Sequence, residues 1–301
     1  MYARIAGKLA RGETIIIDGG TGTDIQRRGV PMDGDTWCAE ANLTHPHVVR
    51  AVHEDYVKAG AEVIIANTFA TSPLLFNAIG RDDDLLMIDR AAVAIAREAA
   101  RDTGVAVAGS MSTMRPVVKG SDRNNLAQNW PEAEARALFK RKAENLAASG
   151  ADLIVLEMLR DGDYAVWATE AAVATGLPVW AGVSVEKNDA GQLVGWGRHD
   201  WLFADFMPRI VAAKPDVICV MHTSPNDTGE ALGMVRKHWR GALGTYPESG
   251  YFTMPDWQFV DIIAPAELVS KSKSWKALGA SIFGGCCGIG PDHIKALSQE
   301  I

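Results

Sequence analysis

Short unbroken apolar runs alternate with longer segments of helical periodicity from one end of this chain to the other. The runs predict eight strands, at residues 14–18, 62–67, 105–110, 152–157, 178–184, 217–222, 242–246 and 281–285. Most are apolar throughout rather than alternating, as parallel strands covered on both faces must be. Between them the pattern turns helical. From Pro46 to Lys58, for example, Val48, Val49, Val52, Tyr56 and Val57 fall on one face. Thr44 is the expected cap of that helix, with Pro46 in its first turn.

Glycine punctuates the helix-to-strand joints in a recurring way. Ala59-Gly60-Ala61, Ser149-Gly150-Ala151 and Leu278-Gly279-Ala280 each close a helix and open a strand, and Thr103-Gly104-Val105 and Thr175-Gly176-Leu177 do the same. Glycine suits the residue past a helix C-terminus because it enters the left-handed region cheaply. No linker or low-complexity stretch divides the chain, so residues 1–301 are expected to form one domain. Eight βα units in that length indicate a single (β/α)8 barrel, with an open doubly wound sheet as the alternative. The glycines of Asp18-Gly19-Gly20-Thr21-Gly22 lack the G-x-G-x-x-G spacing of a dinucleotide site.

Composition narrows the class without naming it. The 301 residues are 48% hydrophobic and 22% charged, with no apolar run long enough to span a membrane and no charged-then-apolar leader. A soluble, cytoplasmic protein is expected. The four cysteines are too few for a disulfide scaffold. A net charge of −7 without a basic cluster argues against nucleic acid.

Candidate chemistry gathers where the strands end. Asp18, Asn67, Ser110, Glu157, Ser184, His222, Tyr246 and Cys286 each close a predicted strand or follow it directly. In a barrel these positions form the catalytic rim. The most informative stretch is Gly284-Gly285-Cys286-Cys287-Gly288. In a regular strand adjacent side chains face opposite ways. The flanking glycines permit a turn that brings both sulfurs to one side, an arrangement suited to zinc. A zinc ion open to substrate needs one more protein ligand. Cys219 lies mid-strand, well below the rim, and Cys38 sits in an irregular segment and reads as structural. His222, at the end of its strand and followed by Thr223-Ser224-Pro225, is the better candidate.

These residues together resemble the zinc-dependent homocysteine S-methyltransferases, a family of (β/α)8 barrels. The similarity runs through Ile17-Asp18-Gly19-Gly20-Thr21-Gly22-Thr23, Tyr56-Val57-Lys58-Ala59-Gly60-Ala61 with Asn67-Thr68-Phe69, Ala108-Gly109-Ser110, and Leu156-Glu157. It continues through Tyr246-Pro247-Glu248-Ser249-Gly250 and the closing dicysteine motif, the most specific of the set. The resemblance implies zinc bound by Cys286 and Cys287, and Asp18 and Glu157 holding the amino group of homocysteine. Gly19, Asn67 and Met221 join them as expected substrate contacts. The sixth strand departs from the family pattern Gly-Val-Asn-Cys: here it reads Cys219-Val220-Met221-His222, so histidine takes the place of the ligand cysteine. Met158 likewise stands where the family has threonine. A His–Cys–Cys set carries one negative charge fewer than three thiolates, which makes the metal more Lewis-acidic.

The expected activity is zinc-dependent methyl transfer from a sulfonium or quaternary ammonium donor to a thiol, most simply homocysteine giving methionine. S-methylmethionine, S-adenosylmethionine and betaine-like compounds are the simplest donors, since no folate or cobalamin module is present. Trp37, Trp130, Trp196 and Phe69 are placed to stack on a cation. Delivery of the methyl group by a separate corrinoid protein is the enzymatic runner-up. A barrel whose dicysteine is redox-active or purely structural is the non-enzymatic alternative. His45 and His47 read as surface or capping residues, and His53, His199 and His293 show no partner pattern.

Overall fold

All eight apolar runs become parallel strands. They are β1 (Ile15–Ile16), β2 (Val63–Ala66), β3 (Ala106–Ser112), β4 (Leu153–Leu159) and β5 (Val179–Val183), then, after an excursion described below, β9 (Val217–Met221), β10 (Ala242–Tyr246) and β11 (Ile282–Phe283). The computed structural model describes residues 1–118, 123–252 and 259–301. The strands are hydrogen-bonded in the order β1-β11-β10-β9-β5-β4-β3-β2. A parallel bridge between Ile17 and Val63 joins the two ends, with Glu62 N donating to Ile16 O at 2.7 Å. The sheet is thus closed into a (β/α)8 barrel, and helices cover its outside.

Alternation along each strand divides the core in two. On β9, Val217, Cys219 and Met221 turn into the barrel with Ile15, Val63, Val155 and Trp180. Ile218 and Val220 turn outward against the helical layer. The helix Pro46–Lys58 shows how that layer is held: Val49, Val52 and Tyr56 are fully buried on its inner face. The residue at its cap differs from the one expected. His45 occupies it, because Thr44 ends a preceding short helix, Ala41–Thr44, and donates its hydroxyl to Glu40 O. The five punctuating glycines Gly60, Gly104, Gly150, Gly176 and Gly279 all have positive φ, as helix ends of this kind require.

Three features lie outside the expected plan. A helix at Tyr2–Ala10 plugs the lower end of the barrel: Ile5 is fully buried among the interior side chains, and Trp180 Nε1 donates to Tyr2 Oη at 3.1 Å. Burying an isoleucine side chain in this way contributes about 1.5–3 kcal/mol. At the upper end, the chain leaving β5 forms an antiparallel sheet, β6 (Val185–Lys187), β7 (Leu193–Gly195) and β8 (Arg198–Leu202), before the helix Phe203–Ala212. The third is a fully buried ion pair. Lys142 Nζ meets Asp89 Oδ1 at 2.6 Å and also donates to Thr68 O and Thr71 Oγ1, so it clamps the loop that follows β2. Among the described residues no helix is long and apolar enough to cross a membrane.

Candidate metal and substrate site

The dicysteine leaves β11 through a segment where side chains are excluded by proximity. A Cβ on Gly284 would stand 2.3 Å from Ile17 Cγ1 and 2.7 Å from Asp18 O. At Gly288 φ is +82°, and a Cβ would stand 2.0 Å from Ser249 O. Only the second of these glycines supplies unusual backbone angles; the first allows close approach to β1. Backbone bonds then fix the turn, with Cys286 N donating to Pro247 O at 2.8 Å and Ser249 N to Cys287 O at 3.0 Å.

His222 reaches the same place by leaving the strand pattern. Met221 points into the barrel, so plain alternation would turn His222 outward. Instead its φ is +45°, a left-handed conformation that costs a histidine about 1–3 kcal/mol. His222 N donates to Tyr246 O at 3.1 Å, and Ser184 Oγ donates to His222 O at 3.2 Å, which holds the strained residue. The Trp196 ring packs edge-on against the imidazole, centroids 4.9 Å apart.

The three ligand-bearing side chains converge. His222 Nδ1 is 3.4 Å from Cys286 Sγ, the two sulfurs are 3.9 Å apart, and the three ligand atoms lie within 4.8 Å of one another. Tetrahedral zinc with metal–sulfur bonds of about 2.3 Å and metal–nitrogen bonds of about 2.0 Å sets sulfur–sulfur and nitrogen–sulfur separations of about 3.8 Å and about 3.5 Å. The measured distances fit that donor set. Nε2, on the far side of the ring, lies 3.1 Å from Glu248 Oε2, a carboxylate–histidine arrangement typical of metal ligands. Cys287 is drawn well below the ordinary thiol range because it accepts a hydrogen bond from Cys286 and faces His222. Cys286, as the donor of that bond and buried, is pushed up.

Two buried carboxylates stand beside this cluster. Asp18 is fully buried; Oδ2 accepts from Ile65 N at 2.7 Å, while Oδ1 has no hydrogen-bond partner. Glu157 accepts a short hydrogen bond from Ser110 Oγ. It sits where β4 changes register, and the next residue, Met158, has φ +57°. Burial raises both acids, Asp18 well above its ordinary value and Glu157 from 4.5 to about 7. Glu157 adds to the rise of Asp18, and Cys287 adds to that of Glu157, which Ser110 and His222 partly offset.

Of the expected substrate residues, Gly19, Asn67, Glu157 and Met221 line one pocket with His222, Cys286 and Cys287, and Asp18 lies buried next to it. The carboxamide of Asn67 is engaged with the segment after the helix Thr21–Arg27: it donates to Cys38 O and Asn42 Oδ1 and accepts from Cys38 Sγ. Trp37, Phe69 and Trp196 are pocket walls, whereas Trp130 turns away and donates its indole N–H to Asn77. Cys38 also reaches the pocket, but burial pushes its thiol up to about 12. Two residues with no expected role stand out. Glu248 supports His222, and Arg160, just past β4, lines the pocket. Glu248 belongs to the motif at residues 246–250, which gave no sign of this contact, and Arg160 had no sequence signal beyond being polar near a strand end.

Comparison with known proteins gives a consistent set of relatives. A family model described as homocysteine S-methyltransferase matches residues 15–301. The chain is 26% identical to betaine–homocysteine S-methyltransferase 1 of Danio rerio over 98% of its length and 74% of that protein. It is 27% identical to a selenocysteine methyltransferase of Astragalus bisulcatus over 95% of its length and 92% of that protein. Among solved structures, the homocysteine methyltransferase MmuM from Escherichia coli in metallated form superposes with a TM-score of 0.77, at 23% identity, covering 96% of each chain.

Proposed function

Because the chain belongs to the homocysteine S-methyltransferase family, we propose that it transfers a methyl group from a sulfonium or quaternary ammonium donor to homocysteine, at a zinc ion held by His222, Cys286 and Cys287. Bound there, zinc would hold the acceptor sulfur as a thiolate at neutral pH, where a free thiol is mostly protonated. The observation that carries the reading is the convergence of one imidazole nitrogen and two sulfurs at tetrahedral spacing, facing a pocket.

The protein's own groups supply the rest. Glu248, on Nε2 of His222, keeps Nδ1 directed at the sulfurs. Asp18 and Glu157, two buried acids of which the first has an oxygen without a hydrogen bond, suit the ammonium group of an amino-acid acceptor, which would orient its thiol. The walls are aromatic and thioether side chains, Trp37, Phe69, Met158 and Trp196 among them, which attract a cationic donor while keeping water out. Attack on such a donor expels a neutral leaving group, so no general acid is required.

Metal analysis together with methyl transfer from S-methylmethionine to homocysteine tests the proposal. Stoichiometric zinc, activity lost in Cys286→Ser and on chelation, and recovery with zinc are expected. Full activity in rigorously metal-free protein overturns it. Inertness until a methyl-corrinoid protein is added would transfer the donor role to that partner.

A further inference from the structure

Among the described residues, one charged side chain lining the pocket has no direct polar partner. Arg160 is 5% exposed, and among the described residues no hydrogen bond or ion pair holds its guanidinium. Its neighbours are all matched. Arg198 meets Asp161 at 2.9 Å and Asp200 at 2.8 Å, Arg123 meets Glu186 at 2.9 Å, and Arg115 approaches Asp161 at 3.9 Å. Asp161, the acid next to Arg160 in sequence, is therefore already engaged by others; it also accepts from the backbone N–H groups of Asp163 and Ala165.

Such a placement is costly. A guanidinium taken out of water without a hydrogen-bond partner loses hydration that a ring at 5.9 Å and an already engaged Asp161 replace only in part. Burial, with the nearby Arg115, Arg198 and Arg123, pushes Arg160 down to about 10 although Asp161 partly offsets them, so it still carries its charge at neutral pH. Its environment also indicates direction. The guanidinium lies 5.9 Å from the Trp196 ring, the same ring whose edge meets His222 at 4.9 Å. Arg160 and the proposed metal ligands line a single cavity.

We propose that Arg160 is the receptor for a substrate carboxylate, so that the pocket is selective for ligands bearing an anionic group as well as a sulfur or onium centre. The planar fork of arginine presents parallel N–H donors that match the two oxygens of a carboxylate. With Asp18 and Glu157 available for an ammonium group, the pocket would offer both halves of an amino-acid zwitterion. This rests on the methyltransferase reading for the identity of the ligands, and the carboxylate could belong to the thiol acceptor or to the methyl donor.

Calorimetric titration of the zinc-loaded full-length protein separates these cases. Homocysteine is compared with 3-aminopropanethiol, its decarboxylated analogue, and S-methylmethionine with (3-aminopropyl)dimethylsulfonium. Wild-type protein should favour the carboxylate-bearing member of at least one pair, by about 10- to 100-fold. The pair showing the preference identifies the source. In Arg160→Gln the preference should collapse, while the ligand-free unfolding midpoint stays the same or rises because an unpaired buried charge is gone. Arg160→Lys, which keeps the charge without the fork, should retain part of the preference and serves if the glutamine variant does not fold. Equal binding within both pairs by wild-type protein, or an unchanged preference in the folded variants, overturns the proposal. Active methyl transfer with no Arg160 effect would leave the function standing and remove this inference. A carboxylate preference without methyl transfer would do the reverse.

Discussion

Glu248 Oε2 lies 3.1 Å from Nε2 of His222, while Nδ1 of the same ring lies 3.4 Å from Cys286 Sγ. The imidazole is thus held at one end and offered at the other. A thiolate in its place would have no second atom for a carboxylate to orient.

Glu248→Ala should therefore weaken zinc binding by about 10- to 100-fold, the usual cost of losing such an outer contact. Competition with a chromophoric chelator measures it, and cobalt substitution should show an altered visible spectrum. The effect should vanish when His222→Cys is already present. Equal losses in both backgrounds would mean that Glu248 supports the loop and not the ring.

Glu157 ties stability to acidity in a specified direction. Its folded value, raised from 4.5 to about 7 by burial, means that the protonated acid favours the folded state. That contribution is complete below about pH 4.5 and is lost as pH rises through about 7, a difference of up to about 3 kcal/mol. Glu157→Gln should then raise the unfolding midpoint at pH 8 relative to wild type, with little change at pH 4. Homocysteine should bind wild-type protein more tightly as pH rises through about 7, since its ammonium needs the carboxylate, and should bind the variant poorly. Ser110, Cys287 and His222 face this acid, so the two proteins must be compared in one metal state. A midpoint gain that is the same at both pH values would contradict the assignment.

The Lys142–Asp89 pair makes a prediction away from the chemistry. Lys142→Met leaves a fully buried carboxylate uncompensated and should cost about 3–5 kcal/mol in denaturant unfolding. Adding Asp89→Leu should recover most of the loss. If the double variant is no better than the single one, the lysine acts through its bonds to Thr68 and Thr71 and not through the ion pair.

What the sequence revealed follows from what each residue needed. Strands buried on both faces require apolar runs, so all eight barrel strands were legible, and Gly60, Gly104, Gly150, Gly176 and Gly279 marked the joints because φ is positive there. The site followed from residue types at strand ends, and His222, Cys286 and Cys287 are close in space as that reading required. The β6–β8 sheet was not legible: only its short segments Val185 and Leu193–Gly195 are buried, and Arg198–Leu202 is polar and partly exposed. Its pairing depends on the barrel beneath it. The helix Tyr2–Ala10 was hidden for a similar reason, since Ile5 alone is buried on it. Arg160 carries no local pattern and Glu248 sits in a motif that does not disclose its contact, because the role of each depends on a ring or a cavity assembled from distant strands.

The tryptophan that touches both His222 and the arginines does not come from the barrel. It follows β7, in a flap hung on the scaffold between its fifth strand and the next helix. The candidate metal ligands and this wall of the pocket are consequently carried by separable pieces of polypeptide. Lengthening or exchanging that flap would let descendants of this protein try new ligands without disturbing the frame that keeps two sulfurs and an imidazole in register.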